Sequence, residues 1–168
     1  MNILVLSDSH GNIDTLEKIL AENKNCETII FLGDGIYDLA NAKDFVPYRA
    51  KIIVKGNCDR FADTVELNAS INLEGVRFYV THGFKEGVKT GLGILENKAA
   101  MENCNAALFG HTHIAHLSRP ENIVLMNPGS SFDGFYAIIE LNNEYTHYIL
   151  KNINFPGSQI KELTVKNT

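Results

Sequence analysis

Three cysteines are all that this 168-residue chain contains, and Cys26, Cys58 and Cys104 form no CxxC pair. Three cannot all pair with one another, so neither a disulfide framework nor a cysteine-rich structural zinc site is expected. Basic charge is also scarce: 15 Lys and Arg against 20 Asp and Glu leave a net charge of −5. That argues against an extended nucleic-acid surface, although metal ions could bring positive charge locally to a small anionic substrate. No apolar run approaches the roughly 18 residues of a membrane span, so no membrane partner is expected. The opening MNILVLSDSH has no basic leader, and its apolar run stops at Ser7 and Asp8. It reads as a first strand, and the expected location is the cytoplasm. No repeat, low-complexity tract or Pro/Gly/Ser linker divides the sequence, so one domain over residues 1–168 is expected. A serine nucleophile has no GxSxG elbow to sit on.

What is present is ordinary globular composition, 45% apolar and 21% charged. NILVLS (2–7), ETIIFLG (27–33) and AKIIVKG (50–56) read as buried strands. Between the first two, Asn12 is placed to cap a helix whose Leu16, Ile19 and Leu20 form an inward stripe. TVELNASINLEG and VRFYVTHG, joined at Glu74-Gly75, predict a hairpin, and residues 91–103 a helix. After AALFG, strands are predicted over 114–118, 122–126, 135–141 and 144–150, the last two joined at Asn142-Asn143. The segment FPGSQIKELTVKNT reads as a loop and tail with no place in this scheme. The class is mixed α/β, a layered sandwich.

Strand after strand ends in groups able to bind metal. Asp8 and His10 follow ILVLS, Asp34 follows TIIFLG, and Asn57 and Asp59 follow KIIVKG. His82 follows RFYVT, and His111 and His113 follow ALFG. Residues just past the carboxyl ends of strands in a layered α/β sheet converge on one crevice. If the strand continues past Gly110, His111 and His113 project to the same face, two residues apart. Taken singly, each cluster has a plain structural reading: a helix cap at Asp8, turns at Asp34 and Asn57, a satisfied core imidazole at His82. Five strand ends carrying such groups together have no such reading. Three carboxylates, one amide and four imidazoles suit two ions of intermediate hardness such as Mn, Fe, Co, Ni or Zn. Two such ions can clamp a phosphoryl oxygen and acidify a water.

The ordered set DxH (Asp8, His10), GD (Asp34), GN-x-D (Gly56, Asn57, Asp59), THG (His82) and GHTH (His111, His113) resembles the calcineurin-like metallophosphoesterases. Within them it is similar to the small bacterial and archaeal phosphodiesterases, as is the MNPGSS stretch at 126–131. The resemblance implies a four-layer α/β/β/α sandwich with two mixed β-sheets. It implies one ion held by Asp8, His10, Asp34 and His113, and a second by Asp34, Asn57, His82 and His111, with Asp34 bridging. The expected ions are divalent transition metals, manganese first. The implied reaction is in-line attack of a metal-bridging hydroxide on a small phosphate ester.

Where many relatives have GNHD, this chain has GNCD, which puts Cys58 in place of a histidine that can assist the leaving group. Alkyl monoesters are therefore expected to be poor substrates, unless Cys58 is simply a compact filler. Asp59 either orients a ligand from behind or caps a turn. Asp38, His116 and His147 are expected to be structural, while Lys85 and Arg60 are near enough in sequence to meet a substrate anion. A TIM-barrel amidohydrolase would need a longer chain. A histidine-triad hydrolase has a different spacing and would leave the acidic motifs unexplained. The rival reading is a non-catalytic metal-binding scaffold of the same fold. A homodimer is open under either.

Overall fold

The computed structural model describes residues 1–42 and 50–167. The first half alternates strand and helix: β1 (Asn2–Leu6), α1 (Ile13–Glu22), β2 (Thr28–Phe31), α2 (Ile36–Asn41) and β3 (Ala50–Ile53). The hairpin β4 (Asn68–Leu73) and β5 (Val76–Thr81) follows, then α3 (Gly93–Met101) and β6 (Ala106–Leu108). Strands β7 (His116–Ser118), β8 (Val124–Asn127), β9 (Phe135–Leu141), β10 (Tyr145–Asn152) and β11 (Lys161–Lys166) complete the chain. α1 starts where expected because the Asn12 side chain accepts the Thr15 N–H at 3.2 Å.

Two mixed sheets result, one ordered β11-β10-β9-β1-β2-β3 and the other β4-β5-β6-β8-β7. β1, β2 and β3 are parallel, as are β5, β6 and β8. The alternation of side chains along each strand builds the layers. Ile3, Val5 and Ile30 face inward against Phe78, Val80, Leu108 and Met126 of the other sheet. Leu4, Leu6, Ile29 and Phe31 face outward and are covered by Leu16, Ile19 and Leu20 of α1 and Leu39 of α2. On the far side, Tyr79, Ala107 and Leu125 are covered by Leu95 and Ala99 of α3. The architecture is α/β/β/α, as expected. Among the described residues no helix is long and apolar enough to cross a membrane.

The C-terminal segment departs from its reading as a tail. Residues 161–166 form β11, which pairs antiparallel with β10 and packs Leu163 and Val165 against the inter-sheet core. Leu163 and Val165, two apart among polar neighbours in KELTVK, were the available signal, a short one. β3 is shorter than the predicted 50–56, because the chain leaves the sheet after Val54 and Lys55 N–H bonds to Glu66 O instead.

Candidate metal centre

The parallel strands β1, β2, β5 and β6 all release their chains at one end of the sandwich, and the candidate ligands sit in the first residues after each. The backbone there is unusual. Asp8, His10, Asp34, His111 and His113 have φ of 55°, 43°, 56°, 66° and 62°. Left-handed conformations in residues with a Cβ cost on the order of 1–3 kcal/mol each and persist only where surrounding structure holds them. It does so here through backbone bonds between the loops. Asp8 N–H donates to Gly33 O at 2.9 Å, and Gly110 N–H to His82 O at 3.0 Å. His111 N–H donates to Asp8 Oδ2, also at 3.0 Å.

These angles correct the strand argument for His111 and His113. β6 ends at Leu108, and neither histidine is extended. They are not side by side on a pleat; the tight turns send them to two different groups of residues. Asp8, His10 and His113 bring one ligand atom each within 4.8 Å of one another, and so do Asp34, His82 and His111. Two carboxylate oxygens lie between the groups. Asp34 Oδ2 is 3.4 Å from His82 Nε2 and 3.9 Å from His10 Nε2. Asp8 Oδ1 is 3.2 Å from His113 Nε2, 3.6 Å from His10 Nε2 and 4.0 Å from His82 Nε2.

Space at the floor is tight. A Cβ on Gly56 would fall on the Asp34 carboxylate, and one on Gly110 would fall on the Ser7 hydroxyl beside Asp8.

Burial and hydrogen bonding divide each ligand into a held atom and a spare one. Asp8 Oδ2 accepts from Ser7 Oγ at 2.6 Å and from His111 N–H, while its Oδ1 is buried with no hydrogen-bond partner among the described residues. His82 Nδ1 lies 2.7 Å from Leu32 O, which accepts its proton and leaves Nε2 facing the carboxylates, buried and again with no hydrogen-bond partner among the described residues. Asp34 Oδ1 accepts the Cys58 N–H at 2.7 Å, leaving Oδ2 toward the histidines. Burial opposes the charge on Asp34, but the neighbouring His82 imidazole and the Cys58 N–H outweigh it and hold the carboxyl well below its usual range. His82 is likewise disfavoured as a cation by burial, yet the Asp34 and Asp8 carboxylates raise its affinity for a proton. His111 goes the other way, lowered by burial and by the cations His82 and Lys89.

The other predicted residues fall as follows. Asn57 and Cys58 are exposed, and Asn57 Nδ2 donates to Cys58 Sγ at 3.2 Å. Cys58 also comes within the same reach of His10 and Asp34. Burial, then the Asp34 carboxylate, push its thiol up to about 11. Asp59 accepts four backbone N–H groups, from Asp34, Gly35, Ile36 and Gly56, at 2.7–3.0 Å. Asp38 is structural: it accepts Ser9 Oγ and the Gly11 N–H. His116 bonds to Ser118 Oγ within β7, and His147 of β10 bonds to Glu162 of β11. Lys85 lies over the Phe84 ring.

Several supporting residues lie in the MNPGSS stretch, which the resemblance singled out without a role for any one of them. Asn127 Nδ2 donates to Gly110 O at 2.8 Å and Thr112 Oγ1 at 3.0 Å, pinning the loop that carries both histidines. Ser130 Oγ donates to Asp8 O and Ser131 Oγ to Ser7 O. The MNPGSS stretch therefore holds the Asp8 and His111 loops in place. Asparagine and serine after a strand carry no such message on their own.

A buried oxygen and a buried nitrogen without hydrogen bonds each forfeit roughly 1–3 kcal/mol of solvation. Here both point into a space ringed by carboxylates and imidazoles, where a divalent cation would satisfy them together. Further carboxylate and imidazole donors surround them, with Asp8 and His82 oriented by hydrogen bonds on their far side. The residues fit divalent metal.

Comparison with known proteins agrees with this. Vps29 from Entamoeba histolytica, in the crystal structure of a single mutant, superposes with a TM-score of 0.79 over 100% of both chains at 18% identity, a likeness of fold alone. "Phosphodiesterase YfcE" of Escherichia coli is 27% identical over 152 residues, 77% of this chain and 79% of that one. "Probable metallophosphoesterase YsnB" of Bacillus subtilis is 30% identical over 170 residues, 97% of this chain and 96% of its own. A family model for the calcineurin-like phosphoesterase superfamily domain matches residues 1–144, a span that holds every candidate ligand. The chain belongs to the calcineurin-like phosphoesterase superfamily.

Proposed function

We propose that this chain is a binuclear metal-dependent phosphodiesterase acting on a small phosphate ester. The observation that carries the reading is the pair of buried atoms with no hydrogen-bond partner among the described residues, Asp8 Oδ1 and His82 Nε2, set between two ligand groups. One ion is assigned to Asp8, His10, Asp34 and His113, the other to Asp34, Asn57, His82 and His111. The place of Asp34 Oδ2, within 4 Å of a histidine from each group, supports its bridging role. Manganese is the first choice of ion, with nickel, cobalt, iron and zinc behind it. When bound, the ions supply charge neutralisation at the phosphoryl oxygens and a water acidified enough to attack.

The protein's own part is positioning. Asp8, Asp34 and His82 are buried and form the floor, whereas His10, Asn57, Cys58 and His113 are exposed and form the mouth through which a phosphoryl group enters. Asp59 acts as a positioning residue, fixing the turn that carries Asp34. Cytoplasmic location and possible homodimerisation belong to the same proposal. The scaffold reading draws support from exposed apolar side chains close in sequence to the ligands or to the loops that hold them: Tyr37, Phe61, Ile114 and Phe132. The complete set of donors favours the enzyme.

The test is to strip the full chain with a chelator and assay bis-p-nitrophenyl phosphate with Mn, Ni, Co, Zn and Mg restored separately. Turnover should vanish on stripping and return with a transition metal at two ions per chain. Two bound ions without turnover would sink the enzyme and leave the scaffold.

Cys58→His makes a second expected outcome. An imidazole at the mouth offers a proton donor to a departing alkoxide, so hydrolysis of alkyl monoesters should rise relative to aryl diesters. Cys58→Ala should change the rates only modestly. An unchanged ratio in Cys58→His would reduce Cys58 to a filler.

A further inference from the structure

At the opposite end of the sandwich from the metal centre lies a cavity of about 300 Å³. Val76, which begins β5, and Asn105, which precedes β6, stand on its wall, as do Thr146 near the start of β10 and Lys166 at the end of β11. The candidate ligands follow the other ends of β5 and β6, so the two sites are separated by the length of the strands.

The chemistry of the wall is one-sided. Among the described residues Arg119 and Lys166, both exposed, line it, no carboxylate does, and neither cation has an ion-pair partner. Tyr148 also lines it; the residue is 1% exposed, and its hydroxyl has no hydrogen bond to any described residue. Asn105 Oδ1 accepts the Arg77 N–H at 2.8 Å, which leaves its Nδ2 as an unused donor. The exposed Asn122 amide likewise has no hydrogen bond among the described residues. Thr146 and Asn167, by contrast, satisfy each other at 2.7 Å and only shape the wall.

We propose that this cavity binds a small phosphate-bearing anion, received by Arg119, Lys166, the Tyr148 hydroxyl and the Asn105 and Asn122 amides. The several oxygens of a phosphate match a guanidinium fork, an ammonium and neutral donors together, where a carboxylate's two oxygens would leave donors unfilled. Burial holds the Tyr148 phenol far above its ordinary range, so it stays a hydrogen-bond donor at any physiological pH. Val76 and Val165 give the cavity an apolar side on which the organic part of a phosphate monoester can rest. This site stands independently of the metal-centre proposal.

Titrating the ¹⁵N-labelled full chain with inorganic phosphate tests it, with amide signals of Asn105, Arg119, Tyr148 and Lys166 followed against those of His111 and His113. The first group should move saturably, with a Kd below about 1 mM. Tyr148→Phe removes one hydroxyl and keeps the packed ring, and should weaken binding about tenfold; Arg119→Gln should weaken it at least as much. Acetate and chloride at equal ionic strength should not produce the saturable shift. Movement only at His111 and His113, or no saturation by about 10 mM phosphate, would overturn the proposal. So would equal saturation by acetate, or an affinity indifferent to both substitutions.

Discussion

Asp34→Asn should reduce bis-p-nitrophenyl phosphate turnover about a thousandfold, some 4 kcal/mol of barrier, in the metal-loaded protein. The substitution is nearly isosteric. Its amide oxygen can still accept the Cys58 N–H that Asp34 Oδ1 accepts now, so the turn at residues 56–58 keeps its anchor. What changes is the other atom. Asp34 Oδ2, anionic and within 4 Å of His82 and His10, becomes an amide nitrogen with no lone pair to share and a hydrogen aimed at imidazoles. If Asp34 serves both ions, the variant loses a ligand from each, so metal stoichiometry should fall below two while the metal-free chain unfolds cooperatively. Steady-state kinetics with metal analysis on the same sample reads both. Full stoichiometry with full activity would remove Asp34 from the bridge.

Much of this centre was legible because its chemistry is written in residue types at strand ends. Asp8, Asp34, His82 and His113 each follow an apolar run, and a parallel sheet gathers such positions at one edge whatever the loops do. The loops themselves were not legible. A left-handed backbone at five non-glycine residues comes from bonds such as Asp8 N–H to Gly33 O, between segments distant in sequence. The same-face argument for His111 and His113 therefore rests on a strand the chain does not form, although both side chains lie among the candidate ligand groups. β11 was missed for a different cause: as an edge strand it buries only Leu163 and Val165, and four polar neighbours mask them. The phosphate-binding cavity draws on β5, β10, β11 and the approaches to β6 and β8. No local pattern announces a wall assembled from five places in the chain.

Asp59 is where the sequence left two roles open, and the structure joins them. Its carboxylate caps a turn, accepting Gly56 N–H at 2.9 Å, and reaches across to Asp34 N–H at 2.7 Å, Gly35 N–H at 2.9 Å and Ile36 N–H at 3.0 Å. One anion thus ties the loop after β3 to the loop after β2 and starts α2 with a negative charge at its first turn. Asp59→Ala leaves four donors without an acceptor and should destabilise the chain by about 3 kcal/mol, the four contributions overlapping rather than adding. Asp59→Asn should be almost as harmful, because one of its two side-chain positions becomes N–H where donors already converge. Asp59→Glu keeps the charge but moves it by a methylene, and should recover part of the loss. The catalytic effect should follow displacement of Asp34, lowering kcat about a hundredfold, since an error of roughly 1 Å in a reacting group costs that much. A role in stability alone predicts something different: kcat per folded, metal-loaded molecule unchanged in all three variants. Measuring kcat at saturating metal, beside the denaturant midpoint, separates a clamp that positions the centre from one that merely holds the fold.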